Sequence, residues 1–567
     1  MKKPNNIVYG LDDVPPRGVL WLSGLQHVGL VSIFLLVPVL ACREAGLPQE
    51  KIIDVLSLSM LVMAIGPILQ GLSRGPVGSG FLCPPIFAAA YLPASLLALS
   101  TGGLALMFGM TIFAGLVEIV LSRLLRPMRP FLPPEVAGFV VAMIGVTIGM
   151  LGFRNIFAAP ASGAATTLPL LVGGITLATM VGLNVWTKGP PKLFCALIGM
   201  AVGYLAAIAL GMLGGGELER MQTAPALHVP RLDHISWAFD ANLIGPFVVA
   251  AFAATLRAMG DITICQKTND AEWIRPDMRT ISGGAMANGT STFLAGIFGT
   301  IGINTSTSNV GLAAATGITS RKVALAVGAI YLVLAFTPKA ATVFAIMPGA
   351  VVGATLVFAS ALVFVNGIVI ITSRMLDSRR IFVIGLSFMA GATVDVFPAF
   401  YGTLSPAVQS LTSSSLVLGT LTALILNLIF RIGVRRKQTL IVGALAFPRQ
   451  SVLDFMEAHG AAWGARRDVI DRARFSLLQS LETIIENCSP QGRLEVEASF
   501  DEFNLDLRVT YTGAALELTD QRPSNEEIMD ADDGHRRLAG FLLKRYADRV
   551  QATCTNGRCT VLFHFDH

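Results

Sequence analysis

Three stretches of this chain carry no Asp, Glu, Lys or Arg: Gly75 to Val117, Thr280 to Ser320 and Val396 to Phe430. Each is long enough to hold more than one bilayer crossing of about twenty apolar residues, and water-soluble domains do not contain uncharged runs of that length. The composition agrees: 53% of the 567 residues are hydrophobic, 14% are charged, and the mean hydropathy is +0.64. Soluble domains carry roughly 25% charged residues. The reading is an all-α polytopic membrane protein followed by a soluble segment from about Arg435, where Arg, Glu and Asp return. The net charge of +5 is spread over short loops rather than gathered in one stripe, so nucleic acid is set aside as a partner.

Met1-Lys2-Lys3 is not followed by an apolar run with a cleavage site before Pro15, so no cleavable leader is expected. The seven cysteines lack zinc-site spacing, and Cys554 and Cys559 fall in a segment assigned to the cytoplasm. No metal, disulfide or cofactor is expected.

Apolar runs place crossings near 20–41, 52–72, 101–122, 136–153, 167–187, 193–213, 243–262, 281–299, 319–337, 343–372, 381–398 and 412–430. Two further segments, Gly78 to Pro85 and Asn304 to Gly311, are rich in Gly, Pro and small polar residues within uncharged territory. They read as broken crossings, the third and tenth of fourteen. Lys and Arg collect in alternate loops: Arg74; Arg123, Arg126 and Arg129; Lys188 and Lys192; Lys267, Arg275 and Arg279; Arg321 and Lys322; Arg374, Arg379 and Arg380. The other loops carry only Arg43, Lys51, Arg154, Arg220, Arg231 and Lys339. The positive-inside rule then puts both termini in the cytoplasm, in the inner membrane of the cell. The expected domains are a cytoplasmic N-terminus (1–19), a membrane domain (20–434) and a cytoplasmic α+β domain (435–567).

Broken crossings at positions three and ten are what two seven-span halves of opposite orientation produce. Non-helical backbone at membrane depth survives only where protein or a wet cavity satisfies it, so this is the expected substrate site. The offset of about 225 residues from Cys83 to Ser308 nearly carries Gln26-His27 of the first span onto the region of Arg257 in the eighth. A flat heterocycle needs donors and acceptors, small neighbours and an aromatic face. Gln26, His27, Ser308 and Asn309 supply the first, and Phe81 or Phe87 the last. Arg257 sits at a depth where an unpaired cation costs about 3 kcal/mol. It either pairs with Asp261 one turn on or faces the cavity to bind an anion or a carbonyl edge. Glu118, a second intramembrane acid, either pairs with another span or binds a proton.

Ser308-Asn309-Val310-Gly311 followed by Thr316-Gly317 resembles the signature of the nucleobase-ascorbate transporter (nucleobase:cation symporter-2) family. Gln26-His27, Gly78 to Leu82 and Ala258-Met259-Gly260-Asp261 resemble its first-, third- and eighth-span motifs, over roughly residues 15–435. The resemblance implies two inverted seven-span repeats, core and gate domains that move against each other, a nucleobase substrate such as urate, xanthine or a pyrimidine, and a homodimer. Arg257 stands where proton-coupled members usually carry Glu; Ser308 replaces a Glu or Gln, and Asn288 an Asp of the xanthine carriers. Among these positions only Asp261 keeps its acid. A fixed Arg257 cation is expected to favour anionic substrates and to dispense with the proton.

In the tail, an amphipathic helix at 475–487 precedes strands at 494–500 and 504–511, a helix near 537–548 and a strand at 559–565. The order resembles a histidine-kinase-type ATP-binding domain, with Tyr511 where that family's adenine-reading Asp stands, so a degenerate regulatory or docking module is expected. The leading function is a secondary transporter of nucleobase-like compounds, not an enzyme. The alternatives are an anion carrier of the sulfate-permease type and a membrane sensor signalling through the tail.

Overall fold

The computed structural model describes residues 2–128, 134–157, 167–213, 225, 227–273, 276–372, 375–405, 408–409, 412, 414–430, 432, 437–443, 449–501, 504–516, 518, 533–555 and 557–566. Of the loop cations used above, Arg129, Arg220, Arg275 and Arg374 lie outside them. The chain divides into two compact units, Met1–Ile368 with Leu386–Leu424, and Val369–Gly385 with Ile425–His567.

The first unit is helical. Thirteen of the fourteen segments expected to cross contain helix, the exception being 78–85, which is coil leading into a strand, and among the described residues seven helices are long and apolar enough to span a bilayer. An eighth arises if Lys322–Ala335 and Pro338–Ala345, bent by 82° against each other, are one span. The others fall short for physical reasons: Cys195–Ala209 and Ser415–Phe430 are short, and the third and tenth segments are interrupted by extended backbone. The third and fourth segments meet at a kink inside Leu92–Met128, where Gly103 takes φ 71°. A Cβ strains that left-handed backbone, so the glycine marks the reversal between two crossings.

The interruptions are two three-residue strands, β1 (Pro85–Phe87) and β2 (Ile303–Thr305), paired antiparallel with Ile86 opposite Asn304. Extended backbone buried among helices must satisfy its polar groups elsewhere. Side chains from elsewhere do this: Thr292 Oγ1 donates to Ile303 O (3.0 Å) and Asn309 Nδ2 to Pro84 O (3.0 Å), while Asn304 Nδ2 of β2 itself donates outward to Ala254 O of the eighth span (2.9 Å). The large apolar cluster takes its buried members from 28–114 and 243–345, that is, from spans one to four and from the eighth to the start of the twelfth. Among the described residues spans five to seven, thirteen and fourteen supply no buried member of this cluster, and the twelfth supplies only Ala345 at its start.

Residues 2–13 dock on the same unit. Val8 and Tyr9 donate backbone N–H groups to Gly317 O, Thr319 and Arg321 donate back to Tyr9 O and Leu11 O, and Lys2 bonds Asp270 and Glu272.

The second unit is α+β. Its antiparallel sheet runs β3 (Lys437–Gly443), β4 (Arg493–Phe500), β5 (Asn504–Thr512), β7 (Arg558–Asp566), β6 (Arg549–Thr555), and alternate residues of β4, β5 and β7 are buried. That period-two burial is what one covered face produces. The covering helices include Arg449–Trp463, Arg467–Asn487 and Asp533–Tyr546. β3, β6 and the helix 449–463 were not foreseen: β3 and β6 bury few of their residues, so their hydropathy alternates weakly. One expectation is overturned. Cys554 and Cys559 are joined in a disulfide, because β6 and β7 form a tight hairpin that sets the two residues directly opposite each other. Spacing alone did not reveal that hairpin. Arg435 and Arg436 of the linker, expected to anchor at the inner leaflet, lie outside the described residues.

Candidate functional site

The site forms where the helix Thr307–Thr316 begins. Ser306 is its N-cap and accepts from Asn309 N (3.4 Å), and Gly317 closes it in the left-handed conformation. A capped helix start leaves free N–H groups and the positive end of the helix dipole facing the strand crossing. Asn309, in the first turn, is fully buried. It accepts from His27 Nδ1 at 2.9 Å and donates to Pro84 O, tying the first, third and tenth spans together. The eighth span joins through Asp261, whose Oδ1 accepts from Thr307 Oγ1 at 2.5 Å. Arg257 and Asp261, buried one turn apart, approach to 3.8 Å between Nε and Oδ2. That is ion-pair distance without a hydrogen bond.

Three buried polar atoms around this turn make no hydrogen bond: His27 Nε2, Arg257 Nε and Asp261 Oδ2. With Nδ1–H given to Asn309, a neutral His27 offers Nε2 as a bare acceptor. Two acceptors and one donor therefore converge, unsatisfied, in a place where such groups are normally paired.

The other candidates distribute as follows. Gln26 and Ser308 are half-buried beside His27 and Asn309 in sequence. Phe81 and Phe87 are fully buried in separate apolar clusters, Phe81 with Leu125, Ala258 and Ile262, and Phe87 within the large core. Asn288 sits in a buried relay: Gln70 Nε2 donates to Asn288 Oδ1 (2.8 Å), and Asn288 Nδ2 donates to Asn304 Oδ1. Thr316 turns back on its own helix and donates to Leu312 O (2.9 Å). Glu118 lies buried against Tyr91 and Thr292. The residues that sequence reasoning left out are Thr307, Pro84 and Gln70. Thr307 and Pro84 stood inside the two irregular segments already singled out; Gln70 carries no sequence signal of its role.

Relatives bear on the site as a whole. The xanthine permease XanP of Escherichia coli K12 is 28% identical over 441 residues, covering 75% of this chain and 95% of its own. The uric acid permease PucJ of Bacillus subtilis 168 is 26% identical over 433 residues, covering 73% and 93%. Among solved structures, the transmembrane domain of the cyanobacterial bicarbonate transporter BicA overlays at a TM-score of 0.44 with 16% identity, covering 73% of this chain and 98% of that one. A likeness that loose carries no argument. Residues 18–400 match the Permease family (Xan_ur_permease), and the chain belongs to it, the nucleobase:cation symporter-2 family to which the motifs around Asn309 pointed.

Proposed function

We propose that this permease moves an oxidised purine of the xanthine or uric acid kind by alternating access, with the ring edge held between His27, Asn309, Arg257 and Asp261. The observation that carries the reading is the set of three unsatisfied buried atoms, His27 Nε2, Arg257 Nε and Asp261 Oδ2. A purine lactam edge presents N–H beside C=O. The N–H groups donate to the bare imidazole nitrogen and to the carboxylate, and the carbonyl accepts from the guanidinium, so binding satisfies all three. The names of two relatives, xanthine permease and uric acid permease, support the same substrate class.

The pairing of Arg257 with Asp261 changes the expectation for charge. A lone guanidinium selects anions; a guanidinium 3.8 Å from a carboxylate belongs to a pair with no net charge and selects a donor–acceptor pattern instead. Neutral xanthine should therefore compete about as well as urate, and sulfate not at all. Competition against labelled xanthine in proteoliposomes tests this; displacement by sulfate but not by purines would sink the reading and favour an anion carrier.

The alternation of loop cations supports cytoplasmic termini in the inner membrane, with the tail on the cytoplasmic side. The carrier is read as a homodimer, by the family resemblance. Within the tail, Tyr511 is buried and donates to Ala514 O (2.9 Å), filling the place where the resembled ATP-binding domains present an acid. The tail is accordingly read as a regulatory or docking module.

A further inference from the structure

Glu118 is a fully buried carboxyl group, more than halfway along the fourth span, and the substrate site does not use it. Tyr91 OH donates to its Oε1, and Thr292 Oγ1 lies 3.1 Å from the same oxygen. Its Oε2 is buried with no hydrogen bond. Among the described residues no cation reaches it. Arg123, on the same span, turns to Met286 Sδ at 3.7 Å; Arg257 and Asp261 on the eighth span hold each other; Arg279 of the ninth span is exposed. The uncharged third and tenth spans contribute only Tyr91 and backbone.

The hydrogen inventory around Thr292 is the decisive feature. Its hydroxyl has one hydrogen and four neighbours: Glu118 Oε1, Ile303 O at 3.0 Å, the Tyr91 hydroxyl, whose own hydrogen goes to Glu118, and Ile303 N, which donates to it at 3.3 Å. If Glu118 is ionised, both its oxygen and Ile303 O need that single hydrogen. If Oε1 carries a proton, it donates into the remaining lone pair of Thr292, and Thr292 serves Ile303 O. The protonated form completes the network, and it also avoids an unpaired buried charge.

We propose that Glu118 is the proton-binding site of this carrier, coupled to substrate through β2. The proposal rests on the reading of the chain as a purine permease. A proton from the outer water bonds to the Glu118 carboxylate as substrate enters; on the inner side the O–H bond breaks and the proton passes to cytoplasmic water, with no change in oxidation state. Ionised Glu118 draws the Thr292 hydrogen away from Ile303 O. This perturbs the strand that continues through Asn304 and Thr305 into the helix bearing Asn309. Asp261, the acid nearest the substrate, has the Arg257 guanidinium 3.8 Å from its Oδ2 and Thr307 on its Oδ1, whereas Glu118 has no cation beside it among the described residues.

The test uses the full chain in proteoliposomes with labelled xanthine. Wild type should accumulate substrate when an inward proton gradient is imposed. Glu118→Gln, which mimics the protonated acid, should still exchange internal for external xanthine but lose gradient-driven accumulation. Absence of any xanthine exchange by wild type would count against the purine reading itself. Exchange without gradient dependence in wild type, or unchanged gradient dependence in Glu118→Gln, would overturn the proposal while leaving that reading intact. If Glu118→Gln does not insert, Tyr91→Phe serves. It removes a donor to the carboxylate, so the pH midpoint of uptake should move upward; an unmoved midpoint overturns the proposal.

Discussion

At the scale of single residues, two members of one signature have different tasks. Among the described residues Asn309 alone hydrogen-bonds the His27 ring, and it also holds Pro84 O, so Asn309→Ala orphans two buried groups at about 1–3 kcal/mol each. Xanthine uptake should fall by at least about a hundredfold, with a visibly lower melting temperature. Thr316 bonds only within its own helix, and Thr316→Ala should change uptake by less than about twofold. Equal loss in both variants would mean that the whole helix, rather than its first turn, forms the site. His27, Asn309 and the Arg257–Asp261 spacing were legible because intramembrane polar residues are rare and i,i+4 pairs are readable along a helix. Thr307 with Asp261 and His27 with Asn309 were not legible as pairs, since 46 and 282 residues separate them and no local pattern encodes such contacts.

At the scale of elements, the apolar runs revealed where helices lie but not how tightly they pack. The helix Met278–Ile297 meets the fourth span through Gly289, where a Cβ would stand 2.7 Å from Ile119 N and 2.9 Å from Glu118 Cβ. Backbone does not yield as a side chain does, so Gly289→Leu should cost at least about 1–3 kcal/mol and lower the yield of folded protein. Thermal melts of purified protein check this; a melt like that of wild type would show that the pair can separate. The loop before the eighth span is pinned to the ninth and fourth helices by Trp237 Nε1 to Gly296 O (3.0 Å) and Ala238 N to Ala105 O (2.8 Å). Beside these contacts, burial holds His234 below its ordinary 6.5, partly opposed by Asp54 and Asp233, with Lys51 acting in the same direction as burial. A histidine depressed in the folded state stabilises the loop above the ordinary value and loses that contribution as pH falls below it. Protection against deuterium exchange across 232–238, corrected for the intrinsic amide rate at each pH, should therefore be lower at about pH 5.5 than at about pH 7.5, and His234→Leu should flatten the difference. Equal slopes in both proteins would assign the loop's stability to Trp237 and the backbone bonds alone.

At the scale of the whole molecule, the shift from uncharged to charged sequence near 435 reads as the start of a separate segment, but the second compact unit is not confined to it. The unit also takes in Val369–Gly385, between the twelfth and thirteenth helices. Within that unit Met375 donates its N–H to Ala465 O (3.2 Å) and packs on the tail's apolar core, while Arg380 is mostly buried. Sequence could not reveal this, because a short basic loop with Arg379 and Arg380 reads as a solvated inner loop by charge alone. Removing the tail after about Lys437 should leave the membrane helices folded, since their core draws nothing from the tail. It should also strip the loop of its partner. Trypsin should then cut at Arg379 or Arg380 at least about tenfold faster than in the full chain, because cleavage follows the free energy of local opening, at 1.4 kcal/mol for each tenfold. Adding the separate tail back should slow the cut again if it refolds around the loop. Equal cleavage with and without the tail would mean that this loop holds its conformation alone, and that the tail is joined to the membrane unit only by the linker.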